Sequence, residues 1–198
     1  MSAEEEKEQV ELAIPKSIPY MDPGMPVTTI EIPAMGDLKV WHNVIYQLQA
    51  ASGVVVLRGL GVGSWDKDIY LFMNDIWAEI CEIVDARPTF IINIAKGDVR
   101  SMQCTLAAIS DVSLASPDAT FGFPEAKLGG MPAVAAYAMR KRVADGDISR
   151  LISTGEPIDA REAQRLGLVD FVGDVELELT RLLFKNCRPR QRWKTVGS

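Results

Sequence analysis

The chain has 198 residues, of which 47% are hydrophobic, and a formal net charge of −6 from 21 basic and 27 acidic residues. This length and composition fit one domain with a sizeable apolar core and exclude a disordered chain. The acidic balance argues against a nucleic-acid-binding surface, which needs an excess of positive charge. No apolar run reaches the ~20 residues that a membrane-spanning helix needs, so no membrane span is expected.

The three cysteines, Cys81, Cys104 and Cys187, are an odd number and are widely spaced. They form neither a disulfide framework nor a C-x-x-C metal motif, so we predict no metal site. A reducing compartment, the cytoplasm or an organelle matrix, follows from this cysteine usage. The amino-terminal residues show neither the apolar core of a secretory signal nor the Arg-rich character of a transit peptide.

Hydrophobic patterning divides the chain into three parts: an acidic, proline-containing tail over 1–26, a folded domain over 27–186, and a basic tail over 187–198. Within the domain, short β-branched or apolar runs predict strands, and apolar positions repeating every three and four residues predict helices. The predicted strands are 27–33, 54–57, 90–94, 111–115 and 168–172, and the predicted helices are about 37–50, 69–85, 102–109, 132–143, 146–153, 159–166 and 175–186. This alternation indicates an α/β fold with a mainly parallel sheet.

Two segments carry a resemblance to a known family. They are FGFPEAKLG at 121–129 and TGEPIDAREAQRLGLVD at 154–170. They resemble the FGxPExxLG and TGxxIxAxEAxxxGLV patterns of the crotonase (enoyl-CoA hydratase/isomerase) superfamily. The resemblance extends from about Leu38 to Gly173 and implies the crotonase-like (ClpP/crotonase) fold.

The resemblance also implies an oxyanion hole, in which two backbone N–H groups hold the enolate formed on a thioester oxygen. One donor would come from the loop at about 64–66 and is assigned to Trp65. The other would lie at Ser101 or Met102 and is assigned to Met102, where the family has a run of glycines. Side chains at these positions limit the backbone and the approach of a ligand.

Hydratases of the family use two glutamates, and the isomerases manage with the second alone. The first aligns with Thr105, which cannot serve as a general base near neutral pH. The second aligns with Glu125, which would remove an α-proton and return it at the γ-carbon. Its pKa would be raised by a partly apolar wall, for which Phe121, Phe123 and Met131 are the candidates.

By position, Arg58, Lys67 and Lys96 are expected to contact coenzyme A, which would be part of the substrate rather than a permanently bound cofactor. The chain is therefore interpreted as a thioester enzyme of the isomerase type, acting on an acyl-CoA or acyl-carrier thioester. Two alternatives stay open: a catalytically degenerate subunit of a larger assembly, and a decarboxylase or dehydratase acting on carrier-bound polyketide acyl groups. Because few residues follow Val172, we expect a homo- or hetero-oligomer with trimer-type packing.

Overall fold

The computed structural model describes residues 25–33, 38–60, 67–86 and 89–184. Strands and helices alternate through these ranges, as the apolar patterning predicts. In chain order the elements are β1 Val27–Glu31, α1 Leu38–Ala50, β2 Val54–Leu60, α2 Lys67–Ala86, β3 Phe90–Ala95, β4 Asp98–Arg100, α3 Gln103–Ile109, β5 Val112–Ala115, β6 Thr120–Gly122, a 3-10 turn Pro124–Leu128, α4 Ala133–Met139, α5 Asp145–Thr154, β7 Ile158–Asp159, α6 Ala160–Arg165, β8 Phe171–Val172 and α7 Val175–Phe184.

A five-stranded parallel sheet with the order β1-β2-β3-β5-β8 lies at the centre of the fold. Its inner strands are buried on both faces, because side chains alternate between a core on each side. Val55, Leu57 and Ile91 belong to the larger core, with α1, α2 and α3. Val56 and Ile92 belong to the smaller core, beneath α7. The predicted α/β class and mainly parallel sheet are therefore confirmed.

A second sheet of three very short strands was not anticipated from the sequence. In it β4 pairs with β6 in parallel and β6 pairs with β7 antiparallel. Strands of two or three residues are too short to show an alternating pattern, and β4 carries a charged residue at each end. This small sheet matters for the site, because β4 ends one residue before Ser101 and β6 ends two residues before the 3-10 turn.

Most predicted elements are confirmed in type and order, with shifted ends. The helix expected over 132–143 ends at Met139, and the strand expected over 168–172 shortens to Phe171–Val172. The predicted cap of α6 is present: an Asp159 carboxylate oxygen accepts the Glu162 N–H at 2.8 Å. Of the predicted tails, residues 1–24 and 187–198 lie outside the described residues, so the tail boundaries stay predictions. In the ranges that are described, no helix combines the length and apolarity needed to cross a bilayer.

Candidate active site around Glu125

Glu125 lies on the 3-10 turn, and two glycines set the geometry of its backbone. Gly129 ends the turn in the left-handed conformation, with φ of 78°, which glycine adopts without the strain of a side chain. The Gly130 N–H then donates to the Glu125 carbonyl oxygen at 2.8 Å. A Cβ atom at Gly130 would lie 3.1 Å from both the Cβ and the carbonyl oxygen of Glu125. The Leu-Gly-Gly sequence thus allows the chain to fold back closely over the glutamate.

The Glu125 side chain is 0% exposed. Its Oε2 atom accepts a hydrogen bond of 2.5 Å from the Ser101 hydroxyl, whereas Oε1 has no partner among the residues that the structure describes. Phe121 and Phe123, on either side of Gly122, are buried as expected, but Met131 is 68% exposed. Met131 therefore does not shield the carboxyl group within this chain, and that expectation was wrong.

Burial raises the pKa of Glu125 above its ordinary value, because a carboxylate loses hydration in an apolar interior. The hydrogen bond from Ser101 acts in the opposite direction, since it stabilises the charged form, but burial has the larger effect. A carboxyl group with a raised pKa can hold and release a proton closer to neutral pH than an exposed glutamate.

Ser101 occupies the turn between β4 and α3 in a left-handed conformation, with φ of 52°. Its N–H donates to the Gly122 carbonyl oxygen at 2.8 Å, which ties this turn to the end of β6. The Met102 N–H, in contrast, makes no hydrogen bond within the part of the chain that the structure describes. Of the alternative donors Ser101 and Met102, only Met102 therefore has an N–H that is not hydrogen-bonded within the described residues. Its side chain is fully buried beside the turn.

Thr105 lies on α3, is 0% exposed, and has a hydroxyl oxygen without a hydrogen-bond partner in the described ranges. The preceding residue, Cys104, is also fully buried, and its thiol pKa is raised to about 12 by burial. Neither side chain supplies a second carboxylate, and the thiol stays neutral at physiological pH. Of Cys104, Thr105 and Glu125, only Glu125 carries a carboxyl group.

Of the three residues predicted to contact coenzyme A, the structure describes the side chains of Arg58 and Lys96. Arg58, at the end of β2, donates from both terminal nitrogens to Glu176 of α7, at 2.7 and 2.8 Å. Lys96 donates to the same carboxylate at 3.0 Å. The side chain of Lys67 and all of Trp65 lie outside the described residues, so their expected roles stay predictions.

A cleft of about 260 Å³ lies between these cations and is lined by Glu31, Arg58, Gly59, Ile94 and Lys96. The structure thus brings Arg58 and Lys96 together, but pairs both with a carboxylate of the same chain. Sequence reasoning missed Glu176, whose position 118 residues after Arg58 carries no local signal. It also missed the Ser101 hydroxyl as a partner of Glu125. No cluster of three or more possible metal ligands occurs within the described ranges.

Comparison with known proteins places this site in a family. A sequence model described as "Enoyl-CoA hydratase/isomerase" matches residues 71–185, which is more than half of the chain. The chain belongs to the enoyl-CoA hydratase/isomerase family, within the crotonase superfamily. Residues 121–129 and 154–170, which carry the resemblance in the sequence, both fall inside the matched region.

Individual relatives are moderately similar. The chain is 33% identical over 116 residues to 2,3-dehydroadipyl-CoA hydratase of Escherichia coli (strain K12), a match covering 57% of this chain and 46% of that protein. It is 28% identical over 126 residues to the rat (Rattus norvegicus) enoyl-CoA hydratase domain-containing protein 3, mitochondrial, with coverages of 62% and 42%. The matches thus span less than half the length of these curated relatives.

Solved structures support the same fold. An enoyl-CoA hydratase/isomerase from Marinobacter aquaeolei superposes with a TM-score of 0.67 and 26% sequence identity, over 83% of this chain and 75% of that chain. An enoyl-CoA hydratase from Mycobacterium smegmatis superposes with a TM-score of 0.65 at 19% identity, over 79% and 72%. The second likeness concerns the fold alone.

Proposed function

We propose that this chain is an enoyl-CoA isomerase-type enzyme that moves one proton on an acyl-CoA or acyl-carrier thioester through Glu125. The observation that carries the proposal is the fully buried Glu125 carboxyl group, whose Oε1 atom has no hydrogen-bond partner among the described residues. Because Oε2 is engaged by Ser101, Oε1 is the oxygen available to exchange a proton. Membership of the family makes a thioester the expected substrate class.

In the proposed reaction, Glu125 Oε1 takes the proton from the α-carbon of an enoyl thioester, and the electron pair moves onto the thioester oxygen. The N–H groups of Met102 and of the loop at 64–66, assigned to Trp65, would stabilise this dienolate. The protonated Glu125 then returns the proton at the γ-carbon, the double bond shifts by one position, and the enzyme is regenerated without net consumption of a proton.

Isomerisation is favoured over hydration because Thr105 occupies the position of the first family glutamate. A hydratase of the two-glutamate type has a second carboxylate to bind and activate water, and the threonine hydroxyl is too weak a base for this task. The Escherichia coli relative is named as a hydratase. From this relative we infer only the substrate class, a coenzyme A thioester, and not the hydration reaction.

Binding of coenzyme A is proposed to involve Arg58, Lys67 and Lys96. Two of these cations are held by Glu176, so an anionic group of the ligand would have to compete with that carboxylate for them. Ion pairs between partly exposed side chains typically contribute only about 1 kcal/mol or less, which favours such a competition. No permanently bound cofactor is required by the proposed proton transfer.

The test is a double-bond-shift assay on the purified chain with enoyl-CoA substrates of several lengths. Glu125→Gln keeps the shape of the side chain and removes its basicity, so we expect a loss of at least about 100-fold in kcat. Glu156→Gln is the matched control, because Glu156 is an exposed surface carboxylate paired with Lys127. An unchanged rate in Glu125→Gln would end the proposal.

A second candidate function, a noncatalytic subunit of a larger assembly, is favoured by a different observation. Glu125, Ser101 and Met102 are each 0% exposed, so a ligand reaches them only if the surrounding side chains move. Thermal unfolding with millimolar acyl-CoA separates the two functions: saturable stabilisation supports the enzyme, and no shift together with stable copurifying proteins supports the subunit.

Self-association is proposed in either case. Leu128 at the end of the 3-10 turn, Met131 before α4 and Tyr137 on α4 are each between 66% and 68% exposed. Tyr137 also lines a groove of about 590 Å³ between α2 and α4, together with Cys81 and Val134. Exposed apolar surface of this kind typically marks an interface. Light scattering coupled to size-exclusion chromatography should give a mass of more than one chain, and a strictly monomeric mass would contradict this proposal.

A further inference from the structure

We propose that Ser101 is a positioning residue whose hydroxyl holds Oε2 of Glu125 and leaves Oε1 as the only oxygen that exchanges a proton with a ligand. The inference rests on the proposed function, since it concerns how the same carboxyl group is presented. It goes further, because it assigns a role to a side chain at a position where the family resemblance predicts glycine. The backbone N–H of Ser101 donates to the Gly122 carbonyl oxygen, so the hydroxyl is the group of Ser101 that can donate to Glu125.

The first support is the hydrogen bond itself. Ser101 Oγ donates to Glu125 Oε2 at 2.5 Å, and both side chains are 0% exposed, so water does not compete for either group at the surface. A short hydrogen bond between a hydroxyl and a carboxylate is of the charge-assisted kind. The other carboxyl oxygen, Oε1, has no partner among the described residues. The two oxygens are therefore not equivalent, and the difference is made by Ser101.

The same hydrogen bond can persist through both protonation states of Glu125. When the carboxylate is ionised, Oε2 accepts the serine proton. When Oε1 carries a proton, Oε2 becomes the carbonyl oxygen of the acid and still accepts from the same hydroxyl. A proton can thus arrive at Oε1 and leave it again while the carboxyl group keeps its orientation. This is the requirement for a group that takes a proton from one carbon and delivers it to another.

The backbone of Ser101 gives independent support. Its φ of 52° is in the left-handed region, which is uncommon for residues other than glycine, asparagine and aspartate. Strained backbone of this kind persists where surrounding contacts hold it and concentrates at functional sites. Glycine would adopt this conformation without strain but has no hydroxyl. Serine at this position therefore has a less favourable backbone conformation than glycine would have, but its hydroxyl contacts Glu125.

The remaining charged and titratable groups near the carboxyl do not replace this contact. Cys104, on α3, points its sulfur at the carbonyl oxygens of Val99 and Gly122, and its raised pKa of about 12 keeps it neutral. Arg100, at the end of β4, forms an ion pair of 3.0 Å with Asp98. The Ser101 hydroxyl is the side-chain donor that reaches Glu125 in the described structure.

The test compares two substitutions that remove the hydroxyl but differ in their backbone consequences. Ser101→Gly relieves the left-handed strain, and Ser101→Ala retains it. The readout is the carboxyl carbon-13 NMR titration of Glu125 in each protein, assigned by the signal that disappears in Glu125→Gln. Loss of the hydrogen bond to the charged form should raise the Glu125 pKa by about one unit in both variants. This measurement needs no catalytic activity.

Kinetics provide the second readout. We expect kcat for the double-bond shift to fall by about 10- to 100-fold in both variants with KM little changed, because substrate binding does not use the hydroxyl. The acid limb of the kcat/KM profile should move to higher pH, in step with the NMR titration. A Glu125 titration that is unchanged in both variants overturns the positioning role. If Glu125→Gln keeps full activity, the proposed function fails instead, whatever the titrations show.

Discussion

Arg58 and Glu176 are joined by two parallel hydrogen bonds, of 2.7 and 2.8 Å, although 118 residues separate them in the sequence. The pair connects the end of β2 to the first turn of α7, and Lys96 adds a third bond to the same carboxylate. These bonds hold α7 against the smaller core. They also engage Arg58 and Lys96, two of the three cations that the resemblance assigns to coenzyme A. Glu176 therefore both anchors α7 and competes for the cations proposed to contact coenzyme A.

We predict that Arg58 and Glu176 are energetically coupled. The hydrogen bond from Arg58 is the main reason that the pKa of Glu176 falls from 4.5 to about 2. A lowered pKa in the folded state means that the stabilisation is complete above about pH 4.5 and is lost as the pH falls towards 2. Because the Glu176 side chain is 49% exposed, solvent screening limits the coupling to roughly 1 kcal/mol.

A double-mutant cycle of Arg58→Gln and Glu176→Gln, measured by urea unfolding at pH 7, tests this coupling. The coupling free energy between Arg58 and Glu176 should decrease in 1 M salt, as expected for partly exposed charges. Glu178→Gln is the control on the same helix, since Glu178 pairs only loosely with Arg181, at 3.5 Å. Additive effects of the two substitutions at low salt would contradict the prediction.

Glu125 should destabilise the folded protein as the pH rises. Its pKa is raised on folding, so the folded state keeps its proton at pH values where the unfolded chain has lost it. The free energy of unfolding therefore decreases from about pH 4.5 up to the raised pKa. Glu125→Gln removes this dependence and should be more stable than the original chain at pH 8, in line with the trade-off between stability and activity at functional sites.

Chemical unfolding of the original chain and Glu125→Gln between pH 5 and pH 8 measures that difference. Glu156→Gln serves as the exposed control, and its unfolding curve should follow that of the original chain. A Glu125→Gln protein that is less stable than the original chain throughout this range would contradict the prediction.

Arg142 should be sensitive to replacement by lysine. One terminal nitrogen bonds Asp170 at 2.9 Å, and the other bonds the carbonyl oxygens of Ser110 and Asp111 at 3.1 and 3.0 Å. The side chain is only 14% exposed. Lysine cannot reproduce this planar set of contacts, so we expect Arg142→Lys to lower the free energy of unfolding by about 2 kcal/mol.

Arg140→Lys is the matched control two residues earlier, because Arg140 is 66% exposed and forms only a surface pair with Asp145. Its effect should stay within about 0.5 kcal/mol. Equal effects of the two lysine substitutions in urea unfolding would argue against a special role for Arg142.

Gly146 in α5 and Gly155, which follows its last residue, should respond in opposite directions to alanine. Gly155, which ends the helix, has φ of 62°, and an added Cβ would lie 2.9 Å from the Phe123 carbonyl oxygen. We expect Gly155→Ala to destabilise the protein by more than about 1 kcal/mol. Gly146 has no atom within 4 Å of such a Cβ, so Gly146→Ala should be neutral or stabilising by up to about 1 kcal/mol. Thermal unfolding of both variants provides the comparison, and a stabilising Gly155→Ala would refute the reasoning.

The order of strands and helices was predictable where the apolar pattern was long enough to read. Val54 to Leu57 is an uninterrupted apolar run, and Phe90 to Ile94 is apolar except at Asn93; the two form neighbouring buried strands. The sheet of β4, β6 and β7 was missed because its strands form by pairing with distant segments rather than by local preference. Met131 was misassigned for a related reason: an apolar side chain after two glycines indicates nothing about which way it points.

The sequence alone was enough to identify the family and to select Glu125 as the candidate residue. Both inferences depend on local motifs, whose glycines and proline restrict the backbone conformations that these short segments adopt. Tertiary structure decided the environment of that residue. The Ser101 hydroxyl, the uncommitted Oε1 atom and the capture of Arg58 by Glu176 arise from chain segments far apart in sequence. Hydrogen bonding, burial and pKa depend on distances in space, which no local pattern contains.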